Sequence, residues 1–251
     1  MPELVRRWEL LLSVVTITKR DPDGVRCTLN SIAALRGDAR VEQLVVDGDG
    51  NAEATAVAES CHWLHQAGAG ISGAFNEGIA VARGEWIWFL NGGDRMHETL
   101  DPEWLLALLR TTKADIVTGA IHDDGATSPR YAPPLSKQWP LSVCWLQQPS
   151  TIVRKTLLTQ VGGFDPQLKI CMDYDLWLKL LRTDPKVDVV AVPFARFDTH
   201  GVSRRPAMRR RLMRENAQVL WRHRCVFLRS VPRAAWRYAK ALGSALWHGY
   251  F

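Results

Sequence analysis

The sequence predicts an α/β fold with a mostly parallel central sheet, followed by basic amphipathic helices. Short apolar runs typical of strands alternate with segments of helical spacing along most of the 251 residues. Chains with this alternation form βαβ units, whose right-handed crossovers place the strands parallel. A change in charge near residue 205 separates the last segment from this pattern. We therefore expect one domain at 1–205 and a C-terminal helical extension at 206–251.

The strand-forming runs of the first half recur at the spacing of βαβ units. The most apolar of them, Trp86–Leu90, is too short for a typical helix and indicates a strand buried on both faces. Asn91-Gly92-Gly93-Asp94 then ends it with residues that favour turns. The predicted strands of this half are 11–18, 43–47, 61–66 and 86–90, and the predicted helices are 25–35, 52–60 and 74–82.

The second half has a looser pattern. Pro102 falls in the first turn of an amphipathic helix, where proline is tolerated. Residues 122–139 are rich in Asp, Gly, Ser and Pro and indicate an exposed excursion. The predicted helices are 102–112, 155–161 and 172–181, and the predicted strands are 115–121, 150–154 and 187–192. From Pro206 onward we expect two basic helices.

Composition excludes several classes of protein. The five cysteines lack paired spacing, which argues against a disulfide framework or a zinc site. No run of about 18 apolar residues occurs, so no bilayer-spanning helix is expected. The apolar run near the N-terminus lacks a small-residue cleavage site and is better explained as a core strand than as a signal peptide. These observations favour a cytoplasmic protein.

Charge is distributed unevenly along the chain. Residues 201–251 carry twelve Lys or Arg against the single acid Glu215, whereas residues 1–200 carry twenty basic against twenty-five acidic residues. A block of one sign usually meets the opposite sign. The C-terminal segment is therefore expected to face an anionic partner.

Carboxylates follow two predicted strands and begin a predicted helix. Asp47 ends the strand at 43–47, Asp94 follows the strand at 86–90, and Asp173 and Asp175 begin the helix at 172–181. Ligands of open α/β sheets bind outside the carboxyl ends of the strands. Acids there can bind a nucleotide's base or ribose, or hold a hard cation against its phosphates. A helix cap or a surface position is the alternative for each acid.

A glycine-rich stretch offers a different function. Residues 68–73 match the G-x-G-x-x-G fingerprint of dinucleotide-binding proteins, and Asp94 follows at about the expected distance of twenty residues. The fingerprint normally follows the first strand, whereas two βα units come before it here. A dinucleotide-binding oxidoreductase that uses Gly68, Gly70 and Gly73 is therefore an alternative.

Several short motifs occur in the order of a known family. They are Ser13–Thr18, Leu29–Ile32, Val45–Gly48, Asn76–Ala80, Gly84–Asp94, Gln148–Thr151, Val161–Asp165 and Met172–Leu178. Over about residues 11–205 the chain resembles family 2 glycosyltransferases of the GT-A (nucleotide-diphospho-sugar transferase) fold. The likeness is greatest to the bacterial branch that builds capsule, exopolysaccharide and lipopolysaccharide.

The resemblance implies a metal-dependent, inverting transfer of a sugar from a nucleotide-diphosphate donor, with a UDP-sugar favoured over a GDP-sugar. Asp173 matches the general base that takes the proton of the acceptor hydroxyl. Asp94 matches the last acid of the D-x-D-type signature and would hold Mg²⁺ or Mn²⁺. His200 is a second candidate metal ligand.

Further residues are assigned through the same resemblance. Asp47 matches the acid that contacts the base of the nucleotide. The other candidate donor-binding residues are Thr18, Asn76, Arg204 and Arg205, and the acceptor-side candidates are Gln148 and Ser150. Gly68 and Gly73 stand where relatives commonly have Asp, which leaves the identity of the base open.

The expected partners follow from the resemblance and from the basic extension. The acceptor would be a glycan or a polyprenyl-diphosphate-linked sugar, and residues 206–251 would bind an anionic membrane surface at the inner face of the cell membrane. Packing of these helices on the enzyme's own body or on a partner subunit is the alternative. No recognised nucleic-acid module is present, so nucleic acid is not expected. A homodimer and a catalytically inactive nucleotide-binding scaffold also remain open.

Overall fold

The computed structural model of this chain describes residues 10–49, 61–66, 70–131, 146–198 and 206–224. Within these residues the strands are β1 (Leu12–Thr18), β2 (Val41–Asp47), β3 (His62–His65), β4 (Trp86–Asn91), β5 (Arg95–Met96), β6 (Ile116–Asp123), β7 (Thr151–Arg154) and β8 (Val187–Phe197). The α-helices are α1 (Pro22–Ser31), α2 (Ala33–Arg36), α3 (Gly70–Val81), α4 (Pro102–Thr111), α5 (Lys155–Gln160), α6 (Met172–Leu181) and α7 (Arg209–Arg222). The predicted helix at 52–60, the second basic helix and residues 132–139 of the predicted excursion lie outside the described residues.

The strands form a mixed sheet in the order β3-β2-β1-β4-β7-β6-β8-β5. Strand β1 pairs in parallel with β2 and β4, and β2 pairs in parallel with β3. Strand β7 runs antiparallel to both β4 and β6, whereas β6 and β8 are parallel. The prediction of an α/β fold with a mostly parallel sheet is therefore confirmed.

Strand β4 is buried on both faces, as its apolar sequence predicted. Ile87 and Phe89 pack into the core on one side of the sheet, whereas Trp86 and Trp88 pack into the core on the other. The indole N–H of Trp88 donates to the carbonyl of Pro149 at 2.8 Å, which satisfies a polar group that burial would otherwise penalise. The strand thus holds a fixed position in the middle of the sheet.

Local capping explains where two helices differ from their predicted bounds. Helix α1 begins at Pro22 rather than at residue 25, because the Asp21 carboxylate accepts a hydrogen bond from the Gly24 N–H at 2.9 Å. The chain then leaves helical geometry at Ile32, so the single predicted helix is two helices. Helix α3 begins at Gly70 rather than at residue 74, and its first turn includes part of the predicted glycine loop.

Strand β8 is longer than predicted. It continues from the expected end at residue 192 to Phe197, through Pro193. Its pairing with β6 has register shifts around Ala120, which lies opposite Pro193. Proline lacks a backbone donor, and such irregularities are where a strand tolerates it. The extension carries the chain to Asp198.

Helix α7 packs against the body of the protein. Val219 and Leu220 are buried and belong to the same core cluster as Trp177 of α6. The first of the two predicted basic helices is therefore joined to the sheet domain through a common core. Among the described residues, no helix combines the length and apolarity needed to cross a bilayer.

Candidate active site

The carboxyl ends of β1, β2 and β4 meet at one edge of the sheet. Thr18 lies opposite Asp47, and Ile17 lies opposite Asn91. A cavity of about 730 Å³ opens at this edge, and its lining includes Thr18, Lys19, Arg20, Gln66, Asp94, Gln148, Lys169, Asp173 and Asp198. Small-molecule sites are usually ~300–1,000 Å³. The cavity is thus of a suitable size for a small ligand, at the position expected for an α/β sheet.

Asp94 is buried in the wall of this cavity and held by hydrogen bonds at both carboxylate oxygens. Its Oδ2 accepts from the backbone N–H of Asn91 at 3.0 Å and from the Asn91 amide at 2.9 Å. Its Oδ1 accepts from the backbone N–H of Asp198 at 3.1 Å. Burial, assisted by the nearby carboxylate of Asp198, raises the pKa of Asp94 to about 7 against the effect of these hydrogen bonds. A cation beside this carboxyl would stabilise its charged form.

Thr28 of α1 fixes the turn that carries Asp94. Its hydroxyl lies 2.7 Å from the carbonyl oxygen of Asp94, to which it donates, and accepts from the backbone N–H of Gly93 at 3.1 Å. Thr28 is fully buried. The sequence analysis did not single out this residue, because nothing in the sequence around a helical threonine indicates which distant backbone groups it contacts.

Asp198 is a second carboxylate that the sequence analysis missed. It lies directly after β8 and lines the cavity beside Gly93. A Cβ atom at Gly93 would come within 2.9 Å of Asp198 Oδ2, and Gly93 has a φ of +99°, so a side chain at Gly93 would be both crowded and strained. An acid at the end of a strand was the available signal, as for Asp47 and Asp94. The predicted strand ended at residue 192, five residues before the observed end at Phe197, and therefore did not reveal it.

Asp173, the second residue of α6, lines the cavity as well. Its Oδ1 accepts from the backbone N–H of Tyr174 at 2.7 Å. Burial raises the pKa of Asp173 to about 6, although this hydrogen bond and one from its own N–H act in the opposite direction. A carboxyl with a raised pKa is a better proton acceptor than an ordinary aspartate and is still ionised at neutral pH.

Asp47 ends β2 beside the cavity. Its backbone carbonyl accepts from the N–H of Gln66 at 2.8 Å, and Gln66 is one of the lining residues. The carboxylate accepts from the N–H of Asp49 at 3.0 Å and is buried. Of the three acids assigned through the resemblance, Asp94 and Asp173 therefore line one cavity, whereas Asp47 lies at the same sheet edge and is not among the lining residues.

The remaining candidates divide between the cavity and the interior. Thr18 and Gln148 line the cavity. Ser150 is buried and donates to the carbonyl of Gln147 at 3.2 Å. Asn76 donates to the carbonyl of Phe164 and accepts from its N–H, each at 2.9 Å, so its amide holds the loop after α5. Asn76 and Ser150 thus have hydrogen bonds within the protein, and their assignment to the donor and acceptor sides stays a prediction. His200, Arg204, Arg205 and Gly68 lie outside the described residues.

Comparison with protein families identifies the fold that carries this cavity. The model of the family described as "Glycosyl transferase family 2" matches residues 13–176, which include Asp47, Asp94 and Asp173. The chain belongs to this family. It is therefore a family 2 glycosyltransferase with a GT-A fold.

Relatives and solved structures agree with this assignment. An uncharacterized glycosyltransferase of Mycobacterium tuberculosis, found in two strains, is 26% identical, and the match covers 76% of each chain. A crystal structure of TarS from S. aureus in complex with UDP has a TM-score of 0.64 at 18% identity. The match covers 84% of the present chain but only 65% of that TarS chain. Mannosyl-3-phosphoglycerate synthase from Rubrobacter xylanophilus has a TM-score of 0.61 at 17% identity, with 84% and 74% of the two chains covered.

The carboxylates in the cavity of this family 2 glycosyltransferase are suitable ligands for a hard cation. Asp94 and Asp198 bring two carboxylates to one side of the cavity. A cation bound there would lower the raised pKa of Asp94, because it favours the ionised carboxylate. Mg²⁺ is usually held by one or two carboxylates together with phosphate oxygens of the substrate and water. Within the described ranges, no group of three Cys, His, Asp or Glu side chains is arranged to hold a metal without such help. The residues therefore fit a cation that is bound jointly with a phosphorylated donor.

The dinucleotide alternative is not supported for this glycosyltransferase. The glycine-rich stretch follows β3, the strand at the edge of the sheet, whereas the fingerprint requires the first strand of a nucleotide-binding unit. Gly73 lies inside helix α3 rather than in a loop. The family match covers the same residues. The glycines therefore do not indicate an oxidoreductase.

Proposed function

We propose that this protein transfers a sugar from a nucleotide-diphosphate donor to a hydroxyl group of a glycan or lipid-linked acceptor, with inversion at the anomeric carbon. The observation that carries the proposal is that Asp94 and Asp173, which are far apart in the chain, line one cavity with raised pKa values. Two carboxyls in one cleft can divide cation binding and proton transfer between them.

The donor end of the cavity is assigned to the side of β1 and β2. Thr18 lines the cavity there and would contact the base or ribose, and Asp47, the acid that the family resemblance assigns to the base, lies at the neighbouring position of β2. Lys19 and Arg20 also line the cavity on this side. TarS has been crystallised with UDP and with UDP-GlcNAc, which supports a UDP-sugar over a GDP-sugar as the donor of the present enzyme. Arg204 and Arg205 remain candidates for the diphosphate.

A divalent cation, Mg²⁺ or Mn²⁺, would be held by Asp94 and Asp198, with His200 as a further candidate ligand. When bound, it supplies positive charge that stabilises the leaving diphosphate. Asp94 itself is presented by its bonds to Asn91 and by the Thr28 contact with its turn. These contacts fix the carboxylate before the donor arrives, so little reorganisation is required on binding.

Asp173 acts as the general base in this mechanism. Its carboxylate takes the proton of the acceptor hydroxyl while that oxygen forms the new bond to the anomeric carbon. The bond from that carbon to the diphosphate oxygen breaks on the opposite face, and the nucleoside diphosphate leaves with the bonding electron pair. Gln148 lines the cavity and is assigned to the acceptor side. The buried cavity wall keeps Asp173 basic enough for this role.

A basic stripe on α7 supports binding to an anionic membrane surface at the inner face of the membrane. Arg210 and Arg214 are exposed along one face of the helix, and Trp221 continues this face with 62% of its surface exposed. The guanidinium of Arg224 lies 4.9 Å from the centre of the Trp221 ring. Each cation near an anionic surface contributes ~1 kcal/mol. A polyprenyl-diphosphate-linked acceptor would be reached from such a surface.

The test of the transfer reaction is a panel of UDP- and GDP-sugars with Mn²⁺, scored for release of the nucleoside diphosphate. We expect turnover with at least one donor, and we expect Asp173→Asn to retain nucleotide binding while losing turnover. Asp94→Ala should lose metal-dependent nucleotide binding. Binding without turnover of any donor in the parent protein would instead indicate an inactive scaffold.

Membrane binding is tested separately by co-sedimentation with vesicles containing phosphatidylglycerol, in which the double variant Arg210→Ala/Arg214→Ala should bind more weakly.

A further inference from the structure

A single buried acid on α7 holds the segment that precedes the proposed base. Glu215 is 3% exposed, and its Oε2 accepts from the backbone N–H groups of Lys169 at 3.1 Å, Ile170 at 2.8 Å and Cys171 at 3.1 Å. Three consecutive backbone donors therefore converge on one carboxylate. Glu215 is also the only acid in residues 201–251.

These donors lie immediately before helix α6, whose first turn contains Asp173. Backbone N–H groups at a helix N-terminus have no partner within the helix, and they favour a negative charge nearby. Hydrogen bonds to an ionised acceptor are about twice as strong as neutral ones. Arg211, one turn earlier on α7, lies 3.3 Å from Glu215 Oε1 and compensates its charge. The carboxylate therefore fixes the conformation of residues 169–171.

The same helix contacts α6 on the other side of Asp173. The carboxylate of Asp175 is fully buried, and its Oδ1 accepts from Arg222 Nη1 at 3.0 Å and lies 2.9 Å from His223 Nε2. Burial alone would raise the pKa of Asp175, yet the contacts with His223 and Lys179 outweigh it and lower the pKa to about 2. Asp173 thus lies between two segments that α7 and the adjoining His223 hold in place.

We infer that Glu215 is a positioning residue for the transfer reaction, which acts by orienting the segment that presents Asp173 to the acceptor. The segment it holds is also a wall of the site, since Lys169, Ile170, Met172 and Asp173 all line the cavity. This inference rests on the proposed function, in which Asp173 is the base. It gives the basic extension a catalytic purpose that is separate from binding to a membrane.

The experiment compares Glu215→Gln and Glu215→Ala with the matched control Gln218→Ala, which changes an exposed residue on the same helix. Positional errors of about 1 Å can cost up to ~10²-fold in rate. We expect kcat to fall at least ~10-fold in both Glu215 variants, with the KM for the donor changed less than ~2-fold. Gln218→Ala should match the parent. Circular dichroism verifies that each variant is folded.

Rescue with a small anion separates positioning from a general loss of stability. Formate can occupy the space vacated in Glu215→Ala and accept from the same N–H groups, so it should restore part of kcat there and none in Asp173→Asn. Glu215→Gln keeps the size of the side chain and serves as the test if the alanine variant does not fold.

The outcomes distinguish this inference from the proposed function. Folded Glu215 variants with the parent's kcat, beside an inactive Asp173→Asn, would refute the inference alone. An Asp173→Asn variant with full activity would refute the assignment of the base and, with it, the positioning role of Glu215. A loss of kcat that matches the unfolded fraction and does not respond to formate would also refute the inference.

Discussion

The acidic limb of the pH–rate profile is the most direct test of the proposed base. Burial raises the pKa of Asp173 to about 6, from an ordinary value of 3.8. A general base works only in its deprotonated form, so the rate should follow the ionised fraction of this carboxyl. We expect kcat to fall as the pH is lowered through about 6.

The size of the effect follows from the titration equation. With a pKa of about 6, roughly 91% of the carboxyl is ionised at pH 7 and roughly 9% at pH 5, so kcat should fall about 10-fold between them. With the ordinary pKa of 3.8, more than about 90% would be ionised even at pH 5, and kcat would scarcely change. The two cases are easily separated.

The assay measures release of the nucleoside diphosphate from pH 4.5 to pH 8 at saturating donor and acceptor. Asp94 has a pKa of about 7 in the absence of a cation and could produce a similar limb. The profile is therefore recorded at two Mn²⁺ concentrations: a limb that shifts with Mn²⁺ belongs to Asp94, and one that does not belongs to Asp173. An invariant limb near pH 4, or substantial turnover by Asp173→Asn, would refute the reasoning.

Three further predictions concern the groups around the site. Because the folded state binds a proton at Asp94 more tightly than the unfolded state, the free energy of unfolding of the metal-free protein should fall as the pH rises from about 4 to 7. Between these pH values the free energy of unfolding of the parent, measured by urea titration, should fall by up to ~4 kcal/mol more than that of Asp94→Asn. The same pH dependence in both proteins would contradict the assigned pKa. Thr28→Val removes the hydroxyl that fixes the turn carrying Asp94, so we expect the protein to lose ~1–3 kcal/mol of stability. We also expect weaker Mn²⁺-dependent nucleotide binding, measured by titration calorimetry. Unchanged binding would show that the turn keeps its shape without this hydroxyl. Asp175→Ala leaves Lys179, Arg222 and His223 without their buried partner, so thermal unfolding should show a loss of ~3 kcal/mol, and a variant as stable as the parent would argue against the network.

The fold class and two members of the site could be predicted from sequence because they depend on local patterns. Trp86–Leu90 is apolar at every position, which indicates a strand buried on both faces, and the structure confirms it. Asp94 follows that strand after a short turn and Asp173 begins the predicted helix at 172–181, so each could be placed at an element end. Because ligands bind at the carboxyl edge of such sheets, both acids could then be predicted to lie in one cleft.

Other features depended on contacts between residues that are distant in the chain. Pairing with β6 extends β8 past Pro193 and brings Asp198 beside Gly93, and no periodicity in residues 187–198 indicates that extension. Asn76 belongs to a family motif, yet its amide is used to hold the Phe164 loop because the two segments meet in space. Motifs record residue identity, whereas hydrogen-bond partners are decided by packing.

The C-terminal segment shows most clearly which properties the sequence determines and which the tertiary structure determines. Its excess of Lys and Arg and its helical spacing are properties of the sequence alone, and they determine a basic helix with an apolar face. Whether that face meets a lipid surface or the protein's own core is decided by which apolar surface lies nearby once the sheet has formed. Val219 and Leu220 are buried in the common core, and Glu215 meets three backbone donors that exist together only in the folded chain. A side chain's chemistry is thus written locally, but its partner is set by tertiary structure, because burial and approach distance are properties of the whole fold.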